Sequence, residues 1–181
     1  VSISNGNSKL GKIRNISLTP IVSCDKNIKC SSHCYALKSY KQYPNVRNAW
    51  DSNLQILNYN MDDYFKQIVA NLNKNTPEYF RWHVAGDIRD QSYLNNMIRI
   101  AKLFKKTKFL AFTKRFGLSY LKVPNNLSIV FSMWPGQKLP MRKKGVSGFA
   151  WMQDGTETRY KSSQVSKCPG HCSTCKRCWN L

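Results

Sequence analysis

Cysteine is the residue whose number and spacing in this chain carry chemistry. Seven thiols fall in two tight groups, Cys24, Cys30 and Cys34 near the start and Cys168, Cys172, Cys175 and Cys178 at the end, with none between residues 34 and 168. A disulfide framework staples distant loops and spreads its cysteines. Two compact groups read instead as thiolate ligand sets for metal, forming two separate sites or one composite one. Three closely spaced cysteines on one loop suit a [4Fe-4S] cubane held by three of its irons, with the fourth left open to an external ligand. Zinc is the rival there, because a structural zinc takes four protein ligands and either His33 or His83 completes a Cys3His set. The terminal group has spacings of three, two and two residues. That pattern resembles a ferredoxin run read backwards, whereas zinc ribbons bring two pairs together across a longer loop. A second [4Fe-4S] cluster is expected at Cys168, Cys172, Cys175 and Cys178, with zinc as the alternative. His171 then reads as a neighbour, and Trp179 as an aromatic lid or ordinary packing.

The charge points to a partner. Lys plus Arg number 29 against 9 Asp plus Glu, a formal net charge of +20. Two clusters with their thiolates lower that only to about +17. Such a surplus favours a polyanion, and nucleic acid over membrane because no basic amphipathic anchor stands out. Among the basic residues Lys114 and Arg115 are the first candidates for phosphate contacts. Lys105 and Lys106 read as the cap of a helix at the opposite end, and Arg142, Lys143 and Lys144 add a further cluster. Phe112, Phe116 and Trp134 are candidates for base stacking or for core. The odd cysteine count, the absence of a leader and the absence of an apolar run near 18 residues place the chain in a reduced cytoplasm.

Positioning these groups requires a fold, and 181 residues suffice for one domain with a real core. Residues 1–15, rich in Ser, Asn, Gly and Lys, read as a flexible or extended lead-in. A short strand is expected over Ile16 to Val22, with Pro20 placing part of it at an edge. Helices are expected over Cys34 to Tyr43 and Asn45 to Tyr59. A third begins after Asn60 as N-cap, with Met61, Tyr64, Phe65, Ile68, Val69 and Leu72 as one apolar stripe. Tyr79 to Ala85 reads as a second strand. Ser92 is the expected cap of a helix that buries Leu94, Met97, Ile98, Ala101 and Phe104. Lys108 to Thr113, Leu127 to Trp134 and Gly148 to Gln153 read as further strands, with a short helical turn near Leu118 to Leu121.

Strands alternating with helices predict an α/β fold built of parallel βαβ units. A complete eight-fold barrel needs about 250 residues. The expectation is therefore an abbreviated or open parallel (βα)n barrel of partial TIM type over residues 16–160, with a Cys-rich metal-binding tail over 161–181. Functional groups in such folds collect at strand C-terminal ends. There fall the first cysteine loop, then His83 and Asp87, then Thr113, Lys114 and Arg115, then Ser132 to Gly136. A carboxylate at a strand end has two readings, a ligand contact or a loop cap. His83 alternates onto the side of Ala85 and Asp87, either to bond a ligand or to fill the core.

Cys24, Cys30, His33, Cys34 and Tyr35 resemble the three-cysteine loop of the radical S-adenosylmethionine superfamily, with spacings of five and three residues where the superfamily usually has three and two. The resemblance implies that the His33 ring lies against the adenine. It also implies that Ala85, Gly86 and Asp87 stand where a Gly-Gly-Glu type motif receives the methionine ammonium, with Tyr35 and His83 beside the same cofactor. The segments GNSKLGKIRNISL, CSSHCYALKSYKQYPNVRNAW, RWHVAGDIRDQSYL, AFTKR, VFSMWPG and CPGHCSTCKRCW, in that order, resemble the phage gene product 88 family, related to that superfamily. This second resemblance implies a cluster-bearing barrel in host cytoplasm. Served by an external electron donor, it would reductively cleave S-adenosylmethionine and act on a nucleic acid or nucleotide. The alternatives are a non-catalytic iron-sulfur or zinc module that binds nucleic acid, and a phage regulator that binds a host protein.

Overall fold

The computed structural model describes residues 1–25, 29–135, 137–141, 143–151 and 167–181. Five strands, β1 (Arg14–Ile16), β2 (Tyr79–Trp82), β3 (Lys108–Thr113), β4 (Leu127–Met133) and β5 (Gly148–Trp151), form one sheet. Every pairing is parallel and the order is sequential, β1 to β5. All C-terminal strand ends therefore lie along one edge. Helices α1 (Ala36–Gln42), α2 (Pro44–Tyr59) and α3 (Met61–Lys74) join β1 to β2, and α4 (Gln91–Leu103) joins β2 to β3.

Strand alternation sorts the side chains onto two faces. Ile16, Phe80, Trp82, Phe109, Ala111, Ile129, Phe131 and Met133 meet Leu57 of α2, Tyr64, Phe65, Ile68 and Leu72 of α3, and Tyr93, Leu94 and Met97 of α4 in the main core. The α3 stripe is buried as its periodicity requires, and Asn60 Oδ1 caps that helix by accepting from the N–H of Asp63 at 3.0 Å. The opposite face carries a smaller cluster, in which Leu110 and Val130 pack with Leu10, Ile13 and Trp179. One face is thus covered by helices and the other by the two chain termini.

Several local expectations are corrected. The first strand lies earlier and is shorter than Ile16 to Val22, because Ser17 turns its side chain into the ladder. Its Oγ accepts the N–H groups of Val84 and Ala85 at 3.1 and 3.3 Å. The chain then leaves the sheet, and Val22 is 73% exposed. The second strand stops at Trp82 rather than Ala85, because His83 adopts a left-handed backbone, φ 55. The cap of α4 is Asp90, not Ser92: Asp90 Oδ1 accepts the N–H of Tyr93 at 2.8 Å from an extended residue just ahead of the helix. The helical turn at Leu118 to Leu121 does not form. Gln91 instead holds Ser119 by its N–H at 2.8 Å and its carbonyl at 3.1 Å. The fourth strand ends at Met133, and the fifth reaches Trp151, with residues 152 and 153 outside those described.

The lead-in is docked rather than free. Ser4 and Asn15 exchange backbone hydrogen bonds at 2.8 and 3.0 Å, and Leu10 is 1% exposed. Asn53 of α2, fully buried, accepts the N–H of Ser2 at 2.7 Å and donates to the carbonyls of Ser2 at 2.8 Å and Ser17 at 3.0 Å. Polar composition there signalled hydrogen bonds to the core, not flexibility.

Candidate metal centre

The three-cysteine loop comes directly after β1, at the edge of the sheet where the strands end. Cys24, Cys30 and Cys34 are half-buried free thiols. A turn places Cys24, whose N–H donates to the carbonyl of Ile21 at 3.0 Å. A 3-10 turn (Lys29–His33) carries Cys30, and Cys34 lies just before α1. Burial pushes the Cys24 thiol up to about 11, helped by the nearby Asp87 carboxylate and then by Cys34 and Cys30. Burial also raises the Cys30 thiol, with Lys114 pulling the other way and Cys34 adding to the rise. These mutual influences mean that the loop thiols, Asp87 and Lys114 share one neighbourhood.

Tyr35 bridges this loop to the second strand end, its hydroxyl donating to the carbonyl of Val84. The residue is 70% exposed while its hydroxyl is turned inward, and burial of that end raises its pKa against the opposing pull of Arg81. His33 is exposed; its Nδ1 lies 2.9 Å from Ser32 Oγ, and its ring stands 6.2 Å from that of Trp134.

The second strand end is buried and tightly bonded. Ala85 gives its carbonyl to the N–H of Leu18 at 3.0 Å. Gly86 has φ +87, and a Cβ there would come within 2.6 Å of Ser23 Oγ and 2.9 Å of Leu18 Cβ, so only glycine fits. Asp87 is 4% exposed. Its Oδ1 accepts the N–H of Ile88 at 2.7 Å and its Oδ2 that of Lys114 at 2.9 Å, so the carboxylate ties the end of β2 to the end of β3. Burial raises its pKa, partly offset by the hydroxyl of Thr113 and those two N–H groups. His83 is 3% exposed, sits 5.4 Å from the Tyr93 ring, and leaves both ring nitrogens without a protein partner. It faces the helical layer.

Lys114 and Arg115 have separate fates. The Lys114 ammonium donates to Ser132 Oγ at 2.9 Å. Arg115 pairs with Asp25 at 2.7 Å, closing the first cysteine loop onto the end of β3. Of the other sequence-selected groups at this edge, Gly136 and Arg142 lie outside the described residues.

The terminal cysteine segment packs on the sheet face opposite α2, α3 and α4, where Cys172 and Cys178 join the cluster of Leu110 and Val130. Trp179 is 4% exposed and donates from Nε1 to the carbonyl of Phe80 at 3.0 Å; Lys176 lies 4.6 Å over the ring of Tyr79, at the start of β2. Trp179 is a packing anchor, not a lid. Cys172 and Cys178 pack beside it, and the Cys172 N–H donates to the carbonyl of Lys9 at 2.9 Å. Burial raises both thiols, with Arg81 opposing the shift. Cys168 and Cys175 are exposed. The first cysteine group thus follows the C-terminal end of β1, whereas Cys172 and Cys178 of the terminal group lie against the sheet face.

Among the described residues, no three His, Cys, Asp or Glu side chains are gathered closely enough to hold one metal ion. A mononuclear zinc needs sulfurs at about 2.3 Å from a common centre.

Sequence reading passed over Ser17, Asn53 and Arg81. The signal for Arg81 was present: it is the one cation in the run Tyr79 to Ala85 and shares the face of Tyr79, opposite the core residues Phe80 and Trp82. A family profile described as gene product 88 matches residues 2–181. The chain belongs to the gene product 88 family. No curated protein and no solved structure matches it. The matched range spans both cysteine groups and all five strands of this chain. None of the described helices is long and apolar enough to cross a membrane.

Proposed function

We propose that this protein is a small iron-sulfur enzyme of radical S-adenosylmethionine type acting on a nucleic acid or nucleotide. The observation that supports the reading is the placement of three free thiols on the one loop that follows β1, at the C-terminal edge of a sequential, all-parallel sheet. Cys24, Cys30 and Cys34 would hold a [4Fe-4S] cluster there. The chemistry such a cluster supplies when bound is one-electron cleavage of the carbon-sulfur bond of S-adenosylmethionine. The sequential strand order and the placement of helices on one face favour a partial barrel, with the termini lying on its inner side.

Within this reading the chain's own residues position and enclose. Tyr35 pins the cysteine loop to Val84, and Arg115 pins it to β3 through Asp25. Asp87 fixes the turn that presents Lys114, and His33 with Trp134 offers flat rings beside the loop. The terminal Cys168, Cys172, Cys175 and Cys178 would hold a second cluster or zinc that fastens the terminus to the sheet.

The test is anaerobic purification, then iron, sulfide and zinc analysis and a reductive S-adenosylmethionine cleavage assay. Iron and sulfide at cluster stoichiometry, lost in part on Cys34→Ala, together with cleavage of the cofactor, are expected. Stoichiometric zinc with no sulfide would leave the non-catalytic nucleic-acid-binding reading in its place.

A further inference from the structure

Among the described residues the guanidinium of Arg81 makes no hydrogen bond or ion pair, and its Nε is buried. It sits mid-strand in β2, opposite Leu110 of β3, on the face away from the helical core. Its guanidinium carbon lies 4.7 Å from the centroid of the Phe112 ring, one step further toward the functional edge. Its Nε is buried and bonds to no protein atom, and neither salt bridge among the described residues involves it. Alternation continues this row: Lys114 comes after Phe112 on the same face, and its ammonium meets Ser132 Oγ at 2.9 Å on the neighbouring strand. The Asp87 carboxylate is close enough to attract the Lys114 charge, and among the described residues no ion pair involves Arg81 or Lys114. Asp25 is held by Arg115, and Asp87 takes the main-chain N–H of Lys114 rather than its ammonium.

We propose that Arg81 and Lys114, with the Ser132 hydroxyl, form a phosphate site on the face of the sheet opposite α2, α3 and α4, between the two cysteine groups. A guanidinium fork held over an aromatic ring presents paired donors to an oxyanion, and a second cation further along the row suits a dianion better than a singly charged carboxylate. Phe112 fixes the fork, so little side-chain freedom is lost on binding. The site deepens the proposed function by naming the group through which a nucleotide is held. It rests on that function for the choice of a nucleotide over free phosphate, and not for the site itself.

Calorimetric titration of the anaerobically purified protein with adenosine 5'-monophosphate, inorganic phosphate, adenosine and acetate tests it. The monophosphate and phosphate should bind, and adenosine and acetate should bind roughly tenfold or more weakly. Arg81→Met and Lys114→Met should each weaken the monophosphate by roughly tenfold or more, with Arg81→Lys recovering part of the loss. Lys102→Met, which removes an exposed charge of the same sign from α4, should leave binding unchanged. The melting temperature and iron content are read on the same samples; if Arg81→Met fails to fold, Lys114→Met decides. Unchanged affinity in Arg81→Met or Lys114→Met, or acetate binding as tightly as phosphate, overturns the site. Phosphate binding without iron would overturn the cluster and keep the site, and iron without phosphate binding the reverse.

Discussion

His83 combines two features that packing alone avoids, a left-handed backbone at φ 55 and a 3%-exposed imidazole with neither nitrogen bonded to protein. Burial, reinforced by Arg81, lowers its pKa to about 3. In the unfolded chain the same group titrates near 6.5. Between those values the unfolded state binds more protons than the folded one, so stability falls as pH drops through this window and is unaffected by His83 above it. The slope approaches about 1.4 kcal/mol per pH unit. His83→Asn tolerates the left-handed backbone and cannot titrate. It should lower the urea midpoint at pH 7 through lost packing, yet its further loss between pH 7 and pH 5 should be smaller than wild type by about 2 kcal/mol. Parallel pH profiles for the two proteins would mean that His83 titrates alike in the folded and unfolded chain.

The elements hold the site by specific end contacts, and these can be tested separately. Asp90→Ala removes the side-chain cap of α4 and should cost about 1 kcal/mol, whereas Ser92→Ala should cost almost nothing. Equal losses in chemical denaturation would return the cap to Ser92. Trp179→Ala should cost roughly 3–5 kcal/mol, because it empties a buried site on the sheet and orphans the carbonyl of Phe80. Its distinguishing readout is faster alkylation of Cys172 and Cys178, with Cys24 unchanged. An unaltered alkylation pattern would show that contacts other than those of Trp179 hold the terminus down. The long periodic stretches, α2, α3, β3 and β4, were legible because hydrophobic period and burial agree there. The first two strand ends were not, since Ser17 substitutes a hydroxyl for ladder geometry and His83 breaks the ladder by backbone strain, neither of which has a periodic signature. The strand-end residues were legible as a set from topology. Arg81 was hidden inside a strand otherwise read for its apolar residues, and the role of Asp87 as a tie between strands depends on a partner 27 positions away.

Over the whole molecule the charge has a direction that the parallel sheet makes testable. Lys105 and Lys106 are exposed between α4 and the start of β3, at the edge opposite the first cysteine loop, while Lys114 ends the same strand at the functional edge. If the excess of +20 acts only as a diffuse field, all three should contribute alike to nucleic-acid binding. If binding occurs at the functional edge, only Lys114 makes a phosphate contact. Reversing Lys114 together with Arg115 would confuse the test, because a glutamate at 115 faces Asp25 and would open the loop. The informative pair is Lys114→Glu against the double reversal Lys105→Glu with Lys106→Glu. For single-stranded DNA the slope of log affinity against log salt should flatten by about 0.7 for each phosphate contact removed. Lys114→Glu should show that flattening, and the double reversal should shift affinity at low salt with little change in slope. The opposite ranking would place the nucleic acid at the N-terminal edge of the sheet and would separate nucleic-acid binding from the chemistry of the first cysteine loop.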